Sequence, residues 1–130
     1  INNIEFSGSN KVLWSGKLYM SETQTAILSE AISKQANGIV LVWSEYTDGD
    51  AVNANFNHFF IPKQFAKTFA GRGVSMTLIS ATFNIAASKY VYISDTSLAG
   101  YVTNNDGEAT KNSGVTITPN KFVLRQVIGV

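Results

Sequence analysis

Apolar residues in this chain recur at every second position in short runs, and the runs are separated by Gly, Pro, Asn and Asp. In KVLWSGKLYM (11–20), Val12, Trp14, Leu18 and Met20 share one phase, and Leu13 and Tyr19 share the other. GIVLVWSEY (38–46) is β-branched and aromatic almost throughout, and Asn37-Gly38 and Asp48-Gly49 bound it. NANFNHFFIP (53–62) starts as an alternating run and ends at Pro62. GVSMTLISATFNI (73–85) sets Val74, Met76, Leu78 and Ser80 on one face, and KYVYISDTSL (89–98) is a further apolar and aromatic run. GVTITPNKFVLRQVIGV (114–130) reads as two strands around a Pro119-Asn120 turn. Turn signals every ~10–15 residues accompany antiparallel all-β folds. The pattern predicts one domain over 1–130, an antiparallel, jelly-roll-like β-sandwich.

One short helix is expected near 62–70. In PKQFAKTFAG, Pro62 suits a first helical position and Gly71 the residue past the end. Phe65 and Phe69, spaced i and i+4, would then cap the core from one side. SETQTAILSEAISKQ (21–35) carries a Ser21–Gln24 spacing that resembles a capping box. Its threonines and short apolar groups favour strand and irregular backbone instead. GYVTNNDGEATKNSG (100–114) holds almost no large apolar residue beyond Tyr101 and Val102, so it reads as a long exposed loop.

Composition narrows the function classes. Charged residues make up 15% of the 130, below the usual ~25%. The net charge is +1 with no basic run, so a nucleic-acid partner has no electrostatic footprint. No stretch approaches the ~18 apolar residues of a spanning helix, so no membrane insertion is expected. INNIEFSGSN lacks the basic and apolar regions of a signal peptide. With no cysteine, disulfides, thiolate metal sites and a cysteine nucleophile are excluded.

Candidate chemistry concentrates in YTDGDAVNANFNHFF (46–60), which contains the single histidine, His58. A Ser-His-Asp triad has no supporting nucleophile elbow here, and one histidine is too few for a zinc site. Asp48, Asp50, Asn53 and Asn55 offer hard oxygens that could hold calcium, but Asp beside Gly is also ordinary turn chemistry. No cofactor is expected. Glu45 with Asp48 or Asp50 could form the carboxylate pair of a small glycan depolymerase. Sugar binding without chemistry needs only an aromatic face and amide or carboxylate partners for hydroxyls. Tyr46, Asp48, Asp50, Asn53, Asn55, Asn57 and His58 supply that set, with Tyr46 at an exposed rim. A second set is Tyr101, Asn104, Asn105 and Asp106. Trp14 and Trp43, among Val, Leu and Ile, are expected in the core.

The last run carries apolar groups on both phases: Phe122, Leu124 and Ile128 on one, Val123 and Val127 on the other. A strand of a small sandwich usually keeps one face polar. Val123 and Val127, with Arg125 between them as a clamp, are therefore expected at a subunit interface. The alternative is a central strand covered by loops of its own chain.

Taken in order, VLWSGKLYM, NGIVLVWSEYTDG, FFIPKQF, GVSMTLIS, KYVYISDTSLAGY and KFVLRQVIGV resemble the C-terminal module of tail and baseplate proteins from phages of Gram-positive bacteria. The segments cover nearly the whole chain. The resemblance implies an all-β module of the virion tail, usually a homotrimer, joined to other baseplate or tail-fibre proteins and docking on host cell-wall saccharide. It implies no catalytic motif, so the expected function is non-catalytic receptor binding. The alternatives are a structural trimerisation module and the depolymerase.

Overall fold

The computed structural model describes residues 10–82, 85–107, 109–110 and 116–130. The reading of residues 1–9 as no signal peptide lies outside them, as do 108 and 111–115 of the expected 100–114 loop. In chain order the elements are β1 (Lys11–Leu18), β2 (Thr25–Ile27), β3 (Gly38–Thr47), β4 (Asp50–Ala51), β5 (Asn57–Pro62), α1 (Lys63–Thr68), β6 (Arg72–Ile79), β7 (Ala86–Ile93), β8 (Ser97–Ala99), β9 (Ala109–Thr110), β10 (Thr116–Ile117) and β11 (Phe122–Gly129). One sheet runs β1-β11-β3, with β5 and β4 pairing successive parts of the far edge of β3. The second runs β2-β8-β7-β6, and β9 pairs with β10 separately. Every pairing is antiparallel, and the protein is an all-β sandwich with one short helix.

The two sheets bury one continuous core. Ile39, Leu41 and Trp43 of β3 and Phe122, Leu124 and Val127 of β11 come from one side. Met76, Leu78, Val91, Ile93 and Leu98 come from the other. Removing such side chains from water stabilises by roughly 1.5–3 kcal/mol each. Alternation on β6 is as expected: Met76 and Leu78 are buried, and Ser80 just past its end is buried too. Trp43 is fully buried, whereas Trp14 is only partly buried against the core.

Two expectations of phase fail, for one reason. A bulge adds a residue to one strand, and every side chain beyond it changes face. The register of β11 against β3 slips between Leu124 and Gln126. Past that slip Val127 pairs with Leu41 and joins the core, while Ile128 pairs with Val40 on the outer face. Val127 is 0% exposed and Val123 1% exposed within the single chain, so neither is free to form the expected subunit interface. Arg125 is no clamp between them; its Nη1 donates to Ser44 Oγ at 3.0 Å. On β1 a slip between Val12 and Trp14 likewise separates those two residues: Val12 pairs with outward Ile128, and Trp14 with inward Val127.

The helix lies within the expected stretch, with Pro62 one position before its first residue and Gly71 two positions beyond its C-cap Phe69. Pro62 is its N-cap and Gly71 follows with φ +82°. Phe65 packs on the core, but Phe69, the C-cap of the helix, is 56% exposed and reaches only the Phe65 ring, 5.8 Å away, so it does not cover the core as expected. Residues 21–35 are strand and irregular, as expected; the Ser21–Gln24 pair closes a turn, with Ser21 N–H donating to Gln24 Oε1 at 3.0 Å. The strand expected over 53–62 begins at Asn57, because Asn55 sits at φ +54° and breaks the run.

Candidate functional site

On β7 the inward phase is Ala87, Lys89, Val91 and Ile93, which leaves Ser88, Tyr90 and Tyr92 on the outer face. Tyr101 follows β8 and packs edge-on against both tyrosines. Ring centroids are 5.0 Å apart for Tyr90–Tyr101, 6.1 Å for Tyr92–Tyr101 and 5.3 Å for Tyr90–Tyr92. Such T-shaped contacts set the positive edge of one ring on the negative face of the next. Gly73 makes room: a Cβ there would lie 2.1 Å from Tyr90 Cζ, so the Tyr90 ring rests on bare backbone. With Ser75, Ser88, Thr103, Ile117 and Pro119, the three rings line an open cleft of about 320 Å³. Every lining group is a phenol, a hydroxyl or an apolar surface.

Beneath the cleft lies a buried polar scaffold, and one of its members, Asn104, belongs to the stretch expected as an exposed loop, where Val102, Asn105 and Gly107 are exposed. Residues 102–105 form a 3-10 turn, and Asn104 is 0% exposed. Because β8 ends opposite Tyr92, the main chain of Tyr90 has no strand neighbour on that side. The Asn104 carboxamide takes that place: Oδ1 accepts the Tyr90 N–H at 3.0 Å, and Nδ2 donates to the Tyr90 carbonyl at 2.8 Å. Nδ2 also donates to the Met20 carbonyl at 2.6 Å. Asn104 is thus fully used inside the protein and is not a ligand residue. Lys89, also 0% exposed, donates through Nζ to the Asn104 carbonyl at 2.6 Å and the Tyr19 carbonyl at 3.0 Å. Its ammonium lies 5.5 Å from the Tyr19 ring centroid and 5.4 Å from that of Trp43. Burial lowers its pKa to about 7. Period-2 counting along KYVYI could have found this lysine, since it shares the phase of Val91 and Ile93.

The expected site at 46–60 does not assemble. Asp48 and Gly49, both at positive φ, form the two-residue turn joining β3 to β4. Tyr46 is half-buried, its ring 5.1 Å from that of Tyr19, and is no exposed rim residue. Asp50 binds Lys17 Nζ at 3.0 Å, and that contact, then the Ala51 N–H, lowers its pKa. Asn55 donates to Glu45 Oε1 at 2.5 Å and accepts the Ala81 N–H at 2.9 Å. Asn57 bonds the main chain of Ile79 in both directions, tying β5 to the end of β6. His58 is exposed, its ring parallel to that of Phe56 at 6.5 Å. Asp50, Asn55 and Asn57 thus serve the hairpin and its attachments, through Lys17, Glu45, Ala81 and Ile79. Among the described residues no three His, Asp or Glu side chains form a metal-holding group.

Glu45 accepts from Thr47 Oγ1 and Asn55, each at 2.5 Å, and these bonds, Thr47 first, hold its carboxyl below the usual range. A carboxylate so stabilised stays ionised at neutral pH and is poorly placed to donate a proton. Of the second predicted set, Tyr101 reaches the cleft, Asn105 is exposed outside its lining, and Asp106 ties the turn to Asn120 through its main-chain carbonyl at 2.9 Å. Ser75, Ser88, Tyr90, Tyr92 and Thr103 were not singled out from the sequence. The alternation of Ser88, Tyr90 and Tyr92 opposite a buried phase was the available signal. No protein-family model matches this chain, and no curated protein matches it significantly.

Proposed function

We propose that this chain is a non-catalytic attachment module of a phage tail or baseplate, and that it holds a host cell-surface saccharide in the tyrosine cleft. The observation that carries this reading is the cleft of about 320 Å³ lined by Tyr90, Tyr92 and Tyr101 with the hydroxyls of Ser75, Ser88 and Thr103. Phenol rings offer flat surface to the C–H face of a pyranose, and hydroxyls exchange donors and acceptors with its hydroxyls. The rings are held by their mutual edge-on contacts, and Asn104 fixes the Tyr90 main chain beneath them, so less side-chain entropy remains to be lost on binding. No lining group is a carboxylate or imidazole, which favours binding over hydrolysis. The phage assignment rests on the resemblance of the strand segments. Titration of wall polysaccharide fragments should show saturable binding that Tyr101→Ala weakens by ~1–3 kcal/mol. Undiminished binding in that variant would remove the cleft from the account.

A structural, homotrimeric module is the second reading, and one observation favours it. Val12, Ile128, Val40 and Phe60 are register neighbours across four strands on the outer face of the first sheet. Val12 is 45% and Phe60 53% exposed. A mass measurement in solution tests this: Phe60→Glu should convert an oligomer to monomers, and a wild-type monomer would end the reading.

A further inference from the structure

A second cleft, of about 550 Å³, opens on the other sheet, and it is built where two neighbouring strands lose register together. The pairing of β1 with β11 slips between Ser15 and Leu18, and that of β11 with β3 slips between Leu124 and Gln126. The residues at the slips, Gly16-Lys17 and Arg125-Gln126, line the cleft with Ser15, Val42, Asn53 and Phe56. Bulges re-aim side chains and recur beside functional sites. Here they bring a guanidinium and an ammonium to one opening.

We propose that this cleft is a site for an oxyanion, a phosphate or a carboxylate carried on a small polyol or sugar. Arg125 is pre-positioned for the task. Its Nη1 donates to Ser44 Oγ at 3.0 Å, and Ser44 is 0% exposed, so the guanidinium is anchored from below. A guanidinium has five N–H donors, and this hydrogen bond uses one of them. Among the described residues Arg125 forms no ion pair with a carboxylate. A planar fork held in this way suits two oxygens of one anion. Lys17 is paired with Asp50 at 3.0 Å, but their side chains are 57% and 70% exposed. Such surface pairs contribute little and exchange readily. The Asn53 and Gln126 amides offer donors to ester or hydroxyl oxygens. Phe56, 46% exposed and parallel to the His58 ring, gives a flat apolar wall for the carbon skeleton bearing the anion.

The test is an amide and side-chain NMR titration of the whole chain with inorganic phosphate, glycerol 3-phosphate, glucuronate and, as a neutral control, glycerol. Saturable shifts are expected at Gly16, Lys17, Arg125 Nε and Gln126 with the anions and not with glycerol. Tighter binding of glycerol 3-phosphate would assign a phosphate ester, and tighter binding of glucuronate an acidic sugar. Arg125→Gln should weaken binding about tenfold or more, the scale of a lost charge-assisted hydrogen bond. Lys17→Ala, at an exposed position, should weaken it less. Tyr101→Ala should leave it unchanged, which separates this site from the tyrosine cleft. An equal response to glycerol would overturn the proposal. So would shifts that persist undiminished in both Arg125→Gln and Lys17→Ala, or the absence of saturable shifts at those four residues with millimolar anion.

Discussion

Replacing Asn104 with alanine tests whether the tyrosine cleft stands on a buried carboxamide. The side chain makes three hydrogen bonds: from the Tyr90 N–H, and to the Tyr90 and Met20 carbonyls. The Asn104 side chain is 0% exposed, and its bond to the Met20 carbonyl is buried, while the two to Tyr90 are part-buried. A net ~1 kcal/mol per bond gives a loss of about 3 kcal/mol, with more expected if the orphaned Tyr90 groups find no water. Domains of this size retain 5–15 kcal/mol, so the variant should still fold. The melting temperature should fall by ~10 °C. Urea unfolding followed by tryptophan fluorescence would read the loss as a shifted midpoint with an unchanged slope. Saccharide binding should fall as well, because Tyr90 and Tyr101 would lose their fixed spacing. A melting temperature within ~2 °C of wild type would refute the reasoning and return Asn104 to the surface, free to meet a ligand.

Lys89 supplies a pH dependence of defined sign. Its folded pKa is about 7, well below the unfolded value of ~10.4, so unfolding takes up a proton above pH 7. Stability should therefore rise from pH 7 to 9, by ~2 kcal/mol for one such group, and Lys89→Met should remove that rise in urea titrations. Val127→Asp should unfold the domain, because it puts a charge at a fully buried position; a folded monomer from this variant would contradict the packing. Tyr46→Ala should cost ~1–2 kcal/mol of stability through the lost contact with Tyr19 and leave saccharide binding intact, as calorimetry on the variant would show.

How much of this was legible beforehand differs between fold and site. Period-2 runs, Gly and Pro positions and the short 63–68 helix were readable because strand alternation and proline geometry are local properties. Bulges are not local in that sense. Nothing in KFVLRQVIGV marks Arg125 as the extra residue, so Val127 and Ile128 were placed on the wrong faces. Polar residues misled for a related reason. Asn55, Asn57 and Asn104 look the same in sequence whether they face a ligand or repair a broken backbone ladder, and here they repair it. Tyr101 was found because it is the single aromatic residue of a polar stretch. Its partners Tyr90 and Tyr92 were hidden inside a run read only as a strand.

The most direct test of the central claim is calorimetric titration of host wall polysaccharide fragments into wild-type protein and into Tyr92→Ala and Tyr101→Ala. Binding to the wild type should be saturable, and weakened ~10-fold or more in each variant while both remain folded. Equal affinity in all three proteins, or no binding to the wild type, would contradict that claim.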